Sequence, residues 1–141
     1  MKKASVLFVC THNSSRSQMA EGLVNALYGD TFQACSAGTE PATVNRFAIA
    51  AMHELEIDIT HHRSKHVNDV TPPLMDYVVT VCDSARDSCP HVVSRKRNVH
   101  QSFRDPSAVR GSDDEKLAAF REVRDQIREW LDTFLLSEPH A

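Results

Sequence analysis

Ser5-Val6-Leu7-Phe8-Val9-Cys10-Thr11-His12-Asn13-Ser14-Ser15-Arg16-Ser17-Gln18-Met19-Ala20-Glu21-Gly22-Leu23 decides the reading of this chain. Residues 5–9 form a short apolar run of the kind that makes a buried strand. Met19, Leu23 and Leu27 then recur every fourth residue, with Ala20 and Val24 widening the stripe, so a helix is expected from about Arg16 or Ser17. Between strand and helix lies a polar loop with a cysteine at its head and an arginine after five intervening residues. Such a loop turns backbone N–H groups, a helix N-terminus and a guanidinium toward one tetrahedral oxyanion. The same positive field favours a thiolate over a thiol, whose ordinary pKa lies near ~8.5. Cys10 is therefore the candidate nucleophile and Arg16 a bidentate anion ligand. Thr11, His12, Asn13, Ser14, Ser15 and Ser17 complete the candidate substrate-binding set, with Asn13 suited to a left-handed bend. The plainer alternative is a buried strand-end cysteine.

Outward from this stretch, the pattern alternates strand and helix. A second strand is expected over Thr31–Ala37 with Gly38 closing it, and a second helix with Val44, Phe47, Ala48, Ala51, Met52 and Leu55 on one face. Residues 57–73 are irregular with part a short helix, and Pro72-Pro73 punctuates them. A third strand is expected over Tyr77–Val81, with Cys82 at its end, and a fourth at about Asn98–Phe103. The intervening residues 83–97 are polar and read as a loop with a short helix. Ser112-Asp113-Asp114-Glu115 is a capping box opening a long helix. Its apolar face carries Leu117, Phe120, Val123, Ile127, Trp130, Leu131 and Phe134, and residues 137–141 form a tail. The order β-α-β-α-β-α-β-α implies an α/β fold: a parallel sheet with helices on both faces, in three layers. The site of such a sheet lies beyond the carboxyl ends of its strands, where Cys10 and Cys82 both fall.

The totals agree. The chain has 141 residues, 41% apolar and 25% charged, with net charge -3, and residues 1–141 read as one globular domain. Nothing marks a basic nucleic-acid surface, and no stretch is apolar enough for a membrane span. The apolar run behind Met1-Lys2-Lys3 ends at Cys10 and is too short for a signal peptide, so the expected location is the cytosol. There the four cysteines, Cys10, Cys35, Cys82 and Cys89, would be reduced at rest. Cys35 lies mid-strand and reads as a packing residue. His61, His62 and His66 read as members of a solvated loop, and no metal site is expected.

Two further features bear on chemistry. Asp105-Pro106 follows the fourth strand, and a carboxyl group at that rim can protonate a leaving oxygen, although Asp-Pro is also a common turn dipeptide. Cys82 and Cys89 open a second reaction class. Hydrolysis of a phosphoester needs one cysteine and a water, whereas reduction of an oxyanion needs two electrons from a pair of thiols. Cys82 could attack a Cys10 adduct, expelling the reduced product, and Cys89 could then attack Cys82, leaving a disulfide for an external dithiol to reset.

The segments VLFVCTHNSSRSQMAEG at 6–22, SAG at 36–38, VVTVCDSARDSCP at 78–90, DP at 105–106 and FREVRDQI at 120–127 together resemble the thioredoxin-coupled arsenate reductases, built on the low-molecular-weight protein tyrosine phosphatase fold. The Cys-x5-Arg loop alone is shared with the phosphatases of that fold; Gln18, where those usually have proline, and the Cys82 and Cys89 pair select the reductases. The resemblance implies a four-stranded parallel sheet of order 2-1-3-4 and reduction of arsenate to arsenite. It assigns Cys10 as nucleophile, Arg16 and the loop amides as cradle, Cys82 and Cys89 as relay and Asp105 as acid. It implies thioredoxin as external reductant, no bound cofactor, phosphate or sulfate as mimics of arsenate, and a monomer. The alternatives are a phosphomonoesterase or tyrosine phosphatase, and a non-enzymatic redox or oxyanion sensor. Two departures stand out. Ser15 replaces a cysteine found in many relatives. Some relatives also bind potassium near Asn13, Glu21 and Ser36, helped by a threonine and an aspartate that align with Arg63 and Lys65; two cationic side chains imply no such ion here, with Lys65 supplying the charge.

Overall fold

The computed structural model describes residues 3–70, 74–81 and 92–137. Strands β1 (Ala4–Cys10), β2 (Phe32–Gly38), β3 (Met75–Thr80) and β4 (Ser94–His100) form one sheet of order β2-β1-β3-β4. Every pairing is parallel, with Cys10 opposite Gly38 and Val9 opposite Thr80. The α/β class and the expected strand order both hold. Val6, Leu7, Phe8 and Val9 are all fully buried, and successive strand residues point to opposite faces, so both faces of β1 are covered.

Helix α1 (Arg16–Leu27) buries Met19, Ala20, Leu23 and Val24 of the stripe read from the sequence, whereas Leu27, at the helix's last position, is exposed. Helix α2 (Arg46–His53) begins at Asn45, whose side chain accepts a hydrogen bond from Phe47 N–H at 2.8 Å, as a good N-cap does. Val44 and Leu55 flank this helix rather than belong to it, though both pack on the core. The short helix α3 (Val67–Val70) falls in the irregular stretch. Helix α4 (Asp113–Ser137) opens on the capping box: Ser112 N–H donates to Glu115 Oε1, and Glu115 N–H donates to Ser112 Oγ at 3.2 Å. It buries Phe120, Val123, Ile127, Leu131, Phe134 and, beyond the expected set, Leu135. Ser137 belongs to this helix and not to a tail. Arg124, itself buried, donates from Nη1 to the Ala51 carbonyl and to Glu54 Oε1, and so ties α4 to the end of α2.

The fourth strand corrects the sequence reading. It spans Ser94–His100, about four residues earlier than expected, and its exposed centre is Arg95-Lys96-Arg97-Asn98. As the sheet's edge it needs backbone pairing on one side only, so charged side chains are tolerated where periodicity foresees a loop. Beyond it the chain stays bonded to the neighbouring strand: Gln101 N–H donates to Thr80 O and Phe103 N–H to Val81 O.

Candidate active site

The loop from Cys10 to Arg16 sits at the carboxyl end of β1, the central position that a parallel sheet reserves for its site. Cys10 is buried at the strand end. Asn13 takes the expected left-handed bend, at φ 51°. Its fully buried amide is locked: Nδ2 donates to Ser17 Oγ at 2.9 Å, and Oδ1 accepts from Lys65 N–H at 2.9 Å. The outer side of the loop is held by the following segment, with Glu40 N–H donating to Thr11 O and Asn45 N–H to Ser14 O. His12 is exposed, with Nδ1 3.0 Å from the Glu40 carbonyl, and belongs to this outer wall.

Gly38 closes the floor from β2. A Cβ built there would lie 2.5 Å from Thr11 O, 2.9 Å from Cys10 O and 3.0 Å from Asn13 N. The sequence marks Gly38 as a strand terminator; the structure makes it the point where two backbones meet.

Helix α1 begins with Ser15 as N-cap, but the Ser15 side chain accepts no helix N–H. The first-turn donors of the helix thus remain directed at the loop. Ser15 Oγ and Arg16 Nε are both buried with no partner among the described residues. Buried polar groups are usually hydrogen-bonded, so these two atoms stand out at the head of α1. Arg16 is aimed by its far end: Nη1 donates to Phe103 O at 2.9 Å, and Nη2 lies 3.8 Å from Asp105 Oδ2. Asp105 takes the turn role read from the sequence, and its carboxylate also lies beside Arg16. It caps the turn Pro106–Ala108, accepting from Ser107 N–H at 3.0 Å, and it stands half-exposed beside Arg16.

Beneath the loop lies a polar network that joins Asn13, Glu21, Ser36 and Lys65, the group the resemblance brings together, to Gln18 and His62, which the sequence reading did not connect. Gln18 is fully buried; Nε2 donates toward Asn13 O at 3.1 Å, Asn13 Oδ1 at 3.0 Å and Arg63 O at 3.1 Å. Its Oε1 lies 3.0 Å from His62 Nδ1, and His62 Nε2 lies 3.3 Å from Glu21 Oε2. Glu21 Oε1 accepts from Ser36 Oγ at 2.7 Å and faces Lys65 Nζ at 3.9 Å. His62 is thus no solvated loop histidine; burial draws its imidazolium below the ordinary histidine range, against the pull of Glu21. The sequence signal for the His62 arm of this group is Gln18, a polar residue beside the buried face of a helix.

Lys65 Nζ also donates to Arg63 O at 3.1 Å. A potassium ion of the kind held by some relatives would meet this ammonium beside Glu21, and the repulsion makes the residues present a poor fit for it. Cys35 is half-buried on β2, and burial first, then Glu21, push its thiol up to about 11, which keeps it protonated and inert. Cys82 and Cys89 lie outside the described residues. The last described residue before them, Val81, donates its N–H to Val9 O at 3.0 Å, beside the strand end that carries Cys10. Among the described residues no cluster of histidine, cysteine and carboxylate side chains could hold a metal ion.

The family model of low molecular weight phosphotyrosine protein phosphatases matches residues 5–138. An arsenate reductase of Halalkalibacterium halodurans is 44% identical over 95% of this chain and 96% of its own length. The chain belongs to the low molecular weight phosphotyrosine protein phosphatase family, on its arsenate reductase branch. Within that family, a solved arsenate reductase in its phosphate-binding state superposes with a TM-score of 0.81 at 32% identity, over 94% of this chain and 97% of that one. A thioredoxin-dependent arsenate reductase of Corynebacterium glutamicum superposes with a TM-score of 0.70 at 28% identity, over 96% of this chain and 64% of that one.

Proposed function

We propose that this chain reduces arsenate to arsenite through Cys10, with Cys82 and Cys89 completing a thiol relay that thioredoxin resets. The observation that carries the reading is the pair of buried, unpartnered groups, Ser15 Oγ and Arg16 Nε, at the loop headed by Cys10. An oxyanion is an acceptor that can take hydrogen bonds from such a hydroxyl and guanidinium, and the relatives named arsenate reductases point to arsenate.

In this mechanism the Cys10 thiolate attacks arsenic, and an arsenate oxygen leaves as water with a proton supplied by Asp105. Arg16 and the first N–H groups of α1 hold the remaining oxygens. The Cys82 thiolate then attacks the Cys10 sulfur. As the S–S bond forms, the S–As electron pair passes to arsenic and arsenite leaves. Cys89 attacks Cys82 in turn, freeing Cys10 as a thiolate and leaving a Cys82–Cys89 disulfide. The thioredoxin dithiol reduces that disulfide, so two electrons enter for each arsenate consumed. The reaction belongs in the cytosol, where such a dithiol pool is kept reduced, and the enzyme works as a monomer. Among the described residues no helix is long and apolar enough to cross a membrane.

The test is arsenite formation coupled to NADPH oxidation with thioredoxin and thioredoxin reductase present. One arsenite per NADPH is expected; arsenate-independent oxidation alone would count against the reading. Cys89→Ser is expected to complete one turnover and then stop, with steady-state rate reduced at least ~100-fold and a Cys10–Cys82 disulfide trapped. Full multiple turnover by this variant would sink the relay.

A second reading, phosphomonoester hydrolysis, is favoured by the family match and by a cradle that suits phosphate equally well. It predicts turnover of p-nitrophenyl phosphate that needs no dithiol and survives Cys82→Ser.

Lys65, in the same proposal, takes the place of a bound potassium ion. Potassium chloride and sodium chloride are accordingly expected to shift the thermal midpoint equally at equal ionic strength. A potassium-specific gain would show that a cation site persists.

A further inference from the structure

We infer that His62 is a positioning residue for the anion loop, holding its proton on Nδ1 and thereby fixing the Gln18 amide that supports the Asn13 bend. This rests on reading the Cys10 loop as an oxyanion site.

The inference follows from counting donors and acceptors. Asn13 O and Arg63 O are backbone carbonyls and can only accept. Asn13 Oδ1 is fixed as an acceptor because Lys65 N–H, a backbone donor, points at it from 2.9 Å. All three surround one end of Gln18 at 3.0 to 3.1 Å, so that end must be the NH2 group. The other end is then the carbonyl oxygen, which meets His62 Nδ1 at 3.0 Å. An oxygen offers no proton, so the ring nitrogen must supply it: Nδ1 carries the hydrogen. The backbone carbonyls and the Lys65 N–H thus fix both amide orientations, and the ring of His62 presents Nδ1 to the Gln18 oxygen.

A neutral imidazole has one N–H and two faces to serve here, Gln18 Oε1 and Glu21 Oε2. Glu21 keeps the Ser36 hydroxyl and the Lys65 ammonium on its other oxygen, Oε1, so its charge stays paired if the histidine contact on Oε2 lapses. Gln18 Oε1 is fully buried and has His62 as its recorded donor. Losing that donor leaves a buried carbonyl unsatisfied, while rotating the amide would set its oxygen against three other oxygens. The Gln18 contact is therefore the one the ring retains. His62 reaches the substrate loop without touching substrate: its Nδ1–H orients Gln18, whose NH2 holds the carbonyl and side chain of Asn13 at the left-handed bend.

Two measurements test this. Long-range proton–nitrogen correlation spectra of the reduced, unmodified protein should show His62 with Nδ1 protonated in its neutral form. That is the opposite of the Nε2–H tautomer, and finding the latter would overturn the assignment. Inorganic phosphate binding, measured by calorimetry at fixed pH, should weaken about fivefold in His62→Leu. It should stay within about twofold of the parent in His62→Asn, whose amide nitrogen occupies the Nδ1 position. In arsenate turnover the same pair should differ in KM with kcat nearly constant. Equal phosphate affinity for parent and His62→Leu, both folded by thermal melt, would remove the positioning role. Absence of phosphate binding by the unmodified protein would sink the oxyanion reading, and the tautomer spectrum would still decide the state of His62.

Discussion

Cys10→Ser is expected to abolish arsenate turnover, with a fall of at least ~10^3-fold in kcat, while phosphate still binds the loop. The separation follows from the division of labour in the site. The proposed cradle is built from Arg16, Ser15 and the start of α1, none of which needs the sulfur. The proposed nucleophile is one buried atom at the end of β1, and a serine hydroxyl is expected to fit in its place. A serine cannot form the sulfur–arsenic bond whose electron pair reduces arsenic, and it cannot be attacked by Cys82 to give a disulfide. Arsenite appearing at more than a thousandth of the parent rate would place the nucleophile elsewhere. Loss of phosphate affinity beyond about tenfold would mean that the thiol also shapes the cradle.

Gly38→Ala carries the second large effect, on folding and binding together. The new methyl would approach Thr11 O, Cys10 O and Asn13 N within 2.5 to 3.0 Å. All three are backbone atoms, so no side chain can swing away to make room. Either β2 retreats from β1 at the Cys10–Gly38 register, or the loop lifts from its seat. Overpacking of this kind costs about 2–4 kcal/mol, which for a chain of this size lowers the thermal midpoint by roughly 10 °C. Phosphate affinity should fall at least ~10-fold, since the displaced atoms are those that shape the cradle. A variant with parental midpoint and affinity would show that the two backbones have slack.

How far the sequence reaches depends on how local each cause is. The Cys10 loop is legible because strand, loop and helix are consecutive: an apolar run, a thiol, a polar turn and a four-residue period need nothing from elsewhere. The capping box at Ser112 and Glu115 is legible for the same reason. The support beneath the loop is not, because Gln18 and His62 stand 44 positions apart and neither carries a pattern that names the other. Gly38 shows a subtler gap. Sequence marks it as a breaker, but the need for a missing Cβ comes from Thr11, which only the parallel register brings opposite. Strand β4 fails through its environment: an edge strand earns its place by backbone pairing, which side-chain periodicity does not record.

That edge has a consequence for how copies of the chain meet at high concentration. Arg95, Lys96 and Arg97 form three consecutive exposed cations along the outermost strand, at one end of the β2-β1-β3-β4 order. A second molecule adding its own β4 there would bring two such rows within the ~4.8 Å spacing of neighbouring strands. Repulsion between those rows is expected to disfavour growth of the sheet from one chain into the next.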